Sequence, residues 1–147
     1  MKFTFQGPPI AKMRHQYKMI NGKFHNYDKQ HAEASSAKIQ LMAQISKESI
    51  EKRTEMAHAE AFDVILMFYL PVPKKLNTAQ IKAIQDGTGI EHANTKPDLD
   101  NLIKFYLDVA NGILYKDDKQ IVCLKSMKMY SLNPRTEFII TPHKGIP

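Results

Sequence analysis

The apolar positions of this chain fall into short, separate stretches, and each predicts an element. Lys2 to Phe5 reads as a short strand, stopped by Gly7-Pro8-Pro9. Tyr17 to Tyr27 reads as a hairpin turning at Asn21-Gly22, the dipeptide that best tolerates positive φ. From Lys29 to Met56 there is neither Gly nor Pro, and Ala34, Ala37, Leu41, Ile45 and Ala57 make a narrow apolar stripe. That spacing predicts one long, mostly exposed helix. Ala59 to Leu70, rich in Val, Ile, Leu and aromatics and closed by Pro71-Val72-Pro73, suits a buried strand. A short helix is expected over Asn77 to Gln85, capped by Asn77 or Thr78 and ended by Asp86-Gly87-Thr88-Gly89. Gly87 to Thr95 reads as a mobile loop.

Leu99 to Asn111 carries Leu99, Leu102, Ile103, Tyr106, Leu107 and Ala110 on one helical face, with Asn111-Gly112 as the stop signal. Gln120 to Tyr130 and Thr136 to Thr141 read as a closing pair of strands turned by Asn133-Pro134. Together these elements predict an α+β fold. A small mixed β-sheet packed with helices would form one compact domain over residues 1–147.

Composition narrows the classes. A length of 147 residues with 43% hydrophobic and 24% charged content excludes wholesale disorder and permits a real core. No apolar run approaches the ~20 residues a membrane helix needs, and the longest, Val64 to Val72, has strand length. The start of the chain lacks the apolar core of a signal peptide. The single cysteine, Cys123, excludes an internal disulfide and fits a reducing cytosol; its place in a strand predicts a buried, inert thiol.

The net charge is +6. Residues 1–30 hold Lys2, Lys12, Arg14, Lys18, Lys23 and Lys29 against the single acid Asp28, with His15 and His25 in addition. Such a segment is drawn to phosphate. A merely solvated basic surface is the competing reading.

Against that background two acidic clusters stand out, Asp98 and Asp100, then Asp117 and Asp118, flanked by Lys96, Lys104, Lys116 and Lys119. Inside a helix, residues two apart point about 200° away from each other. Pro97 excludes the helix interior, so Asp98 is expected in an extended segment or at the N-cap. In extended backbone, residues two apart fall on one side about 6.6 Å apart and can converge on one cation. A turn could return Asp117 or Asp118 to the same ion. At ~6 Å and an effective dielectric of ~20, like charges repel by about 3 kcal/mol, so three gathered carboxylates need a proton or a metal. Oxygen-only ligands favour Mg²⁺ or Mn²⁺, and no His/Cys pairing supports zinc. Lys104, four residues after Asp100, could hold a phosphate oxygen. Asp108, opposite the apolar face, is expected to be solvated or at an interface. The competing reading of Asp98-Leu99-Asp100-Asn101 is a helix cap with acids at the dipole's positive end; for Asp117-Asp118 it is an ordinary turn.

The run Lys96-Pro97-Asp98-Leu99-Asp100-Asn101-Leu102-Ile103-Lys104, then Leu107-Asp108, Asn111-Gly112 and Tyr115-Lys116-Asp117-Asp118-Lys119-Gln120-Ile121-Val122, closely resembles the signature of the RusA family of Holliday-junction resolvases. Gly7-x-Pro9, the basic loop reaching Lys12 and Arg14, and Tyr27 before the long helix are similar to the family's opening. The resemblance implies Asp98, Asp100 and Asp118 as metal-binding catalytic acids, with Asp118 matching better than Asp117, and Lys104 as the essential basic residue. It implies Lys12, Arg14 and Lys96 as DNA contacts. It further implies a Mg²⁺-dependent homodimer, with Mn²⁺ a possible substitute, cutting four-way junctions symmetrically in recombination and repair, in the cytoplasm of a bacterial or phage-infected cell. A nuclease for flaps or forks, or a non-catalytic DNA-binding protein of the same fold, are the alternatives. The family's stronger basic cluster before the first aspartate is replaced here by His92-Ala93-Asn94-Thr95-Lys96.

Overall fold

The computed structural model describes residues 1–14, 16–27, 29–86 and 93–145. Its architecture follows from strand β4 (Phe62–Pro71). Successive side chains of a strand point to opposite faces, and here Phe62, Val64, Leu66, Phe68 and Leu70 all face one way and are buried. A strand this apolar needs neighbours on both edges. β5 (Ile121–Ser131) runs parallel to it on one side and β6 (Arg135–Pro142) antiparallel on the other. β1 (Lys2–Gln6) pairs antiparallel with the far side of β6, giving the mixed order β1-β6-β4-β5.

Helices cover the apolar face. α1 (His31–Ile45) contributes Ala37 and Leu41, and α2 (Ile50–His58) contributes Met56. α4 (Leu99–Ala110) contributes Leu102, Phe105, Tyr106, Val109 and Ala110. They close one core with Phe3, Phe5, Phe138 and Ile140 from the sheet. α3 (Thr78–Gln85) buries nothing and is held at its start by a reciprocal cap between Asn77 and Gln80. The α+β class expected from the pattern is the class found. Among the described residues no helix is long and apolar enough to cross a membrane.

The hairpin also forms as expected, as β2 (Gln16–Ile20) and β3 (Lys23–Tyr27), with Asn21 at φ 50° and Gly22 at φ 74°. Two successive left-handed residues give the turn whose twist matches its strands.

Three expectations are corrected. The long helix over Lys29 to Met56 is two helices. Ser46 donates its hydroxyl to the Ala43 carbonyl at 2.8 Å, and Ser49 accepts from the Lys52 amide, capping α2. Serine side chains compete with the helix for backbone partners, and that competition ends α1 and restarts the chain. The two closing strands do not pair with each other, because β4 lies between them. The link 132–134 crosses the end of β4, and three extended residues reach the ~10 Å between alternate strands. Finally, the Cys123 thiol is exposed, since β5 is an edge strand open on both faces from Val122 to Lys125. Most of the loop expected from Gly87 to Thr95 lies outside the described residues; Ala93 is buried.

Candidate active site

Pro97 follows a cis peptide bond, and Asp98 is the N-cap of α4 with extended backbone (φ −69°, ψ 141°). The cap position is occupied, yet the carboxylate does not cap: it makes no hydrogen bond to the first turn. Instead it accepts from the Lys96 ammonium at 2.7 and 2.8 Å. That hydrogen bond, reinforced by the charges of Lys96 and Lys128, holds the Asp98 carboxyl below the usual carboxylate range. The pair is exposed, so it contributes little to stability. Asp98 and Asp100 thus hold the N-cap and first-turn positions that the capping alternative gives them, but the Asp98 carboxylate turns to the Lys96 ammonium rather than to the helix.

Asp100 lies in the first turn of α4 rather than in extended backbone, and its exposed side chain has no partner among the described residues. Lys104, one turn further on, is exposed as well. It lines a cleft of about 280 Å³ with Lys12, Met13, Arg14, Asn101 and Asp108. The basic loop is pinned there, since the Lys12 amide donates to the Asn101 carbonyl at 2.8 Å. Lys12 also reaches the Asp108 carboxylate at 2.8 Å, so Asp108 is half-exposed and ion-paired rather than simply solvated.

The second acidic cluster divides by role. Asp117 caps the 3-10 turn Asp118–Gln120, accepting from the Lys119 amide at 3.0 Å, while the Gln120 side chain bonds back to the Asp117 and Lys116 amides. Asp118 takes no part in that cap. Partial burial, then the charges of Asp108 and Asp117, push its carboxyl above the usual range.

Of the two acids acting on Asp118, Asp117 is its neighbour in the turn and Asp108 lies in the C-terminal half of α4. Asp98 sits at the other end of the helix, ten residues from Asp108 and about 15 Å away along the axis. β5 runs back alongside α4: Lys128 donates to the Pro97 carbonyl at 2.9 Å and to the Thr95 carbonyl, and Tyr130 and Thr95 share a hydroxyl bond at 3.0 Å. The expected turn bringing Asp118 back to Asp98 is not found within one chain. Among the described residues no three His, Cys, Asp or Glu side chains are gathered as a metal site. The all-oxygen donor set suits a hard ion, and Asp98 with Asp100 suits the habit of Mg²⁺ of using one or two carboxylates; among the described residues no third carboxylate joins them.

Lys128 was not singled out by sequence. It sits mid-strand among other lysines and methionines, and only the fold shows it bracing the Thr95–Pro97 carbonyls under Asp98.

The family model described as Endodeoxyribonuclease RusA matches residues 6–141 of this chain. The chain is 33% identical over 140 residues to an uncharacterized protein, YqaN, of Bacillus subtilis (strain 168), covering 95% of this chain and 94% of that one. It is 31% identical over 147 residues to a protein of Lactococcus phage r1t named crossover junction endodeoxyribonuclease rusA, covering 96% and 98% of the two.

Proposed function

Starting from the fact that the chain belongs to the RusA endodeoxyribonuclease family, we propose that it is a divalent-metal-dependent endonuclease that resolves four-way DNA junctions as a homodimer. The observation that carries the reading is the exposed grouping of Asp98, Asp100 and Lys104 on the first turns of α4, with the Asp98 carboxylate facing a cation instead of the helix. Carboxylates beside a basic cleft would only weaken a protein that merely bound phosphate. Beside a hydrolytic metal they have a use.

Asp98 and Asp100 would hold Mg²⁺, or Mn²⁺ in its place. Bound there, the cation supplies Lewis acidity and a readily deprotonated water. Lys104 holds a non-bridging oxygen of the scissile phosphate and offsets the charge that builds as water bonds to phosphorus and the P–O bond to the leaving sugar breaks. Lys12 and Arg14, around the same cleft, hold the neighbouring backbone without reading sequence. Lys96 would release Asp98 to the cation and turn to phosphate.

The separation of Asp118 from Asp98 supports a dimer. β5 is an edge strand whose outer side is unpaired among the described residues, and Val122, Leu124 and Met127 are exposed along it. Two such edges meeting about a two-fold axis pair antiparallel. The start of one β5, with Asp118 just ahead of it, then approaches the end of the other, where Lys128 braces the loop under Asp98. Each metal site would take Asp98 and Asp100 from one copy and Asp118 from the other, and two symmetric sites suit a two-strand cut.

Mixing two inactive variants tests this. D100N and D118N should each fail to cut a four-way junction in Mg²⁺, and EDTA should silence the native protein. Co-refolded together, they form mixed dimers in which one site has lost both groups and the other is intact. Nicking of one junction strand should return. Failure of the mixture to nick, with mixed dimers verified by differential tags, overturns the shared site. Native protein that leaves branched DNA whole overturns the nuclease reading.

A further inference from the structure

Among the described residues the β2–β3 hairpin forms a sheet of its own with no third strand, and every described side chain from Tyr17 to His25 is exposed. A free-standing two-stranded ribbon is marginal in water and normally polar on both faces. This one is not. Strand alternation and the observed register sort its side chains into two unlike faces: Met19 lies opposite Phe24, with Tyr17 diagonal to Phe24, on one side. Lys18 opposite His25, and Ile20 opposite Lys23, form the other. Tyr17, Met19 and Phe24 are 67%, 65% and 72% exposed. An aromatic, apolar face backed by a basic one is costly to leave in water and needs an occupant.

The segment that leads into the ribbon is anchored to the body of the protein. The buried Gln30 side chain accepts from the Met13 amide at 2.7 Å and donates to the Ala11 carbonyl at 2.8 Å, fastening the chain before β2 to the start of α1. The same segment carries Lys12 and Arg14 around the cleft with Lys104. β2 therefore begins two residues after Arg14, which lines the candidate cleft.

We propose that the Tyr17–Met19–Phe24 face is a stacking platform for bases left unpaired or unstacked at a DNA branch point, with Lys18 and Lys23 facing the phosphates. The proposal rests on the branched-DNA nuclease reading above and adds to it the element that senses the branch. Charge decides the occupant. A ribbon carrying Lys18, Lys23 and His25 against no described acid, rooted beside Arg14, complements a polyanion. Aromatic rings accept any base, because every base has a π face, and apolar side chains enter base steps where stacking is already broken. Intact duplex offers phosphate to the basic face and nothing to the aromatic one.

The chain has no tryptophan, so F24W introduces a single indole at the platform. With EDTA present to prevent cutting, a four-way junction should quench the F24W indole strongly, while a saturating unbranched duplex of equal length leaves it nearly unchanged. The double variant Y17A/F24A should lose on the order of tenfold or more in junction affinity and retain its duplex affinity, since the lysines remain. Junction bound and cut normally, with the indole unquenched or Y17A/F24A unimpaired, overturns the platform and leaves the nuclease intact. Native protein that neither prefers nor cuts branched DNA overturns the nuclease reading itself. If Y17A/F24A instead dissociates a dimer in sedimentation, the face belongs to a second copy and the proposal fails.

Discussion

Asp98 and Asp118 are the same residue type in opposite electrostatic settings. The Lys96 hydrogen bond lowers the proton affinity of Asp98, whereas burial and two neighbouring acids raise that of Asp118. A carboxyl-detected NMR titration of the metal-free protein should show Asp118 titrating above the ordinary aspartate value of 3.8 and Asp98 below it; the reverse order would mean that neither the Lys96 contact nor the acidic neighbours govern these groups. Linkage then sets the signs. The contribution of Asp98 to stability is present above its unfolded-state pKa and is lost as pH falls through its folded one. That of Asp118 is present below its unfolded-state pKa and lost as pH rises through its folded one. Rising pH thus charges Asp118 at some cost to the fold. The identities of these residues were legible in the sequence, because carboxylates and lysines at fixed offsets advertise themselves. What distinguishes Asp117 from Asp118 by physics was not, since it depends on which one turns its oxygens to the Lys119 amide.

α4 positions Asp100 and Lys104 by burying its opposite face. Phe105 and Tyr106 meet edge-on with ring centroids 5.1 Å apart, and both are buried against the sheet. Phe105→Ala should destabilise the fold by about 3–5 kcal/mol, lowering the melting temperature by roughly 10 °C for a chain of this size. A loss below ~1 kcal/mol in urea titration would mean that the helix is held by something other than this face. The limits of α4 were readable because Pro97 and Asn111-Gly112 are strong punctuation. The division between α1 and α2 was not, because Ser46 and Ser49 are tolerated inside helices and break one only where their hydroxyls find backbone partners. The hairpin was readable at Asn21-Gly22, while its isolation from every other strand was not, since nothing local says which sheet a ribbon joins.

At the scale of the molecule, sheet order decides where the carboxylates go. Reading β5 and β6 as partners hid the exposed edge, and with it the separation of Asp118 from Asp98. If that edge forms the dimer, introducing charge along it with V122K/L124K should yield a monomer in sedimentation equilibrium that retains its fold and loses junction cutting. A variant that stays dimeric and active would place the two-fold axis elsewhere.

The three-residue bridge between β5 and β6 also sets a timetable for synthesis. β4 leaves the ribosome with its apolar comb from Phe62 to Leu70 complete, but both strands that flank it are encoded after Ala110. At ordinary translation speeds the comb waits on the order of ten seconds for them. β1 waits longer still for its own partner, with Lys2 set against Ile139. The nascent polypeptide thus carries a sticky, unmated strand through about half of its elongation.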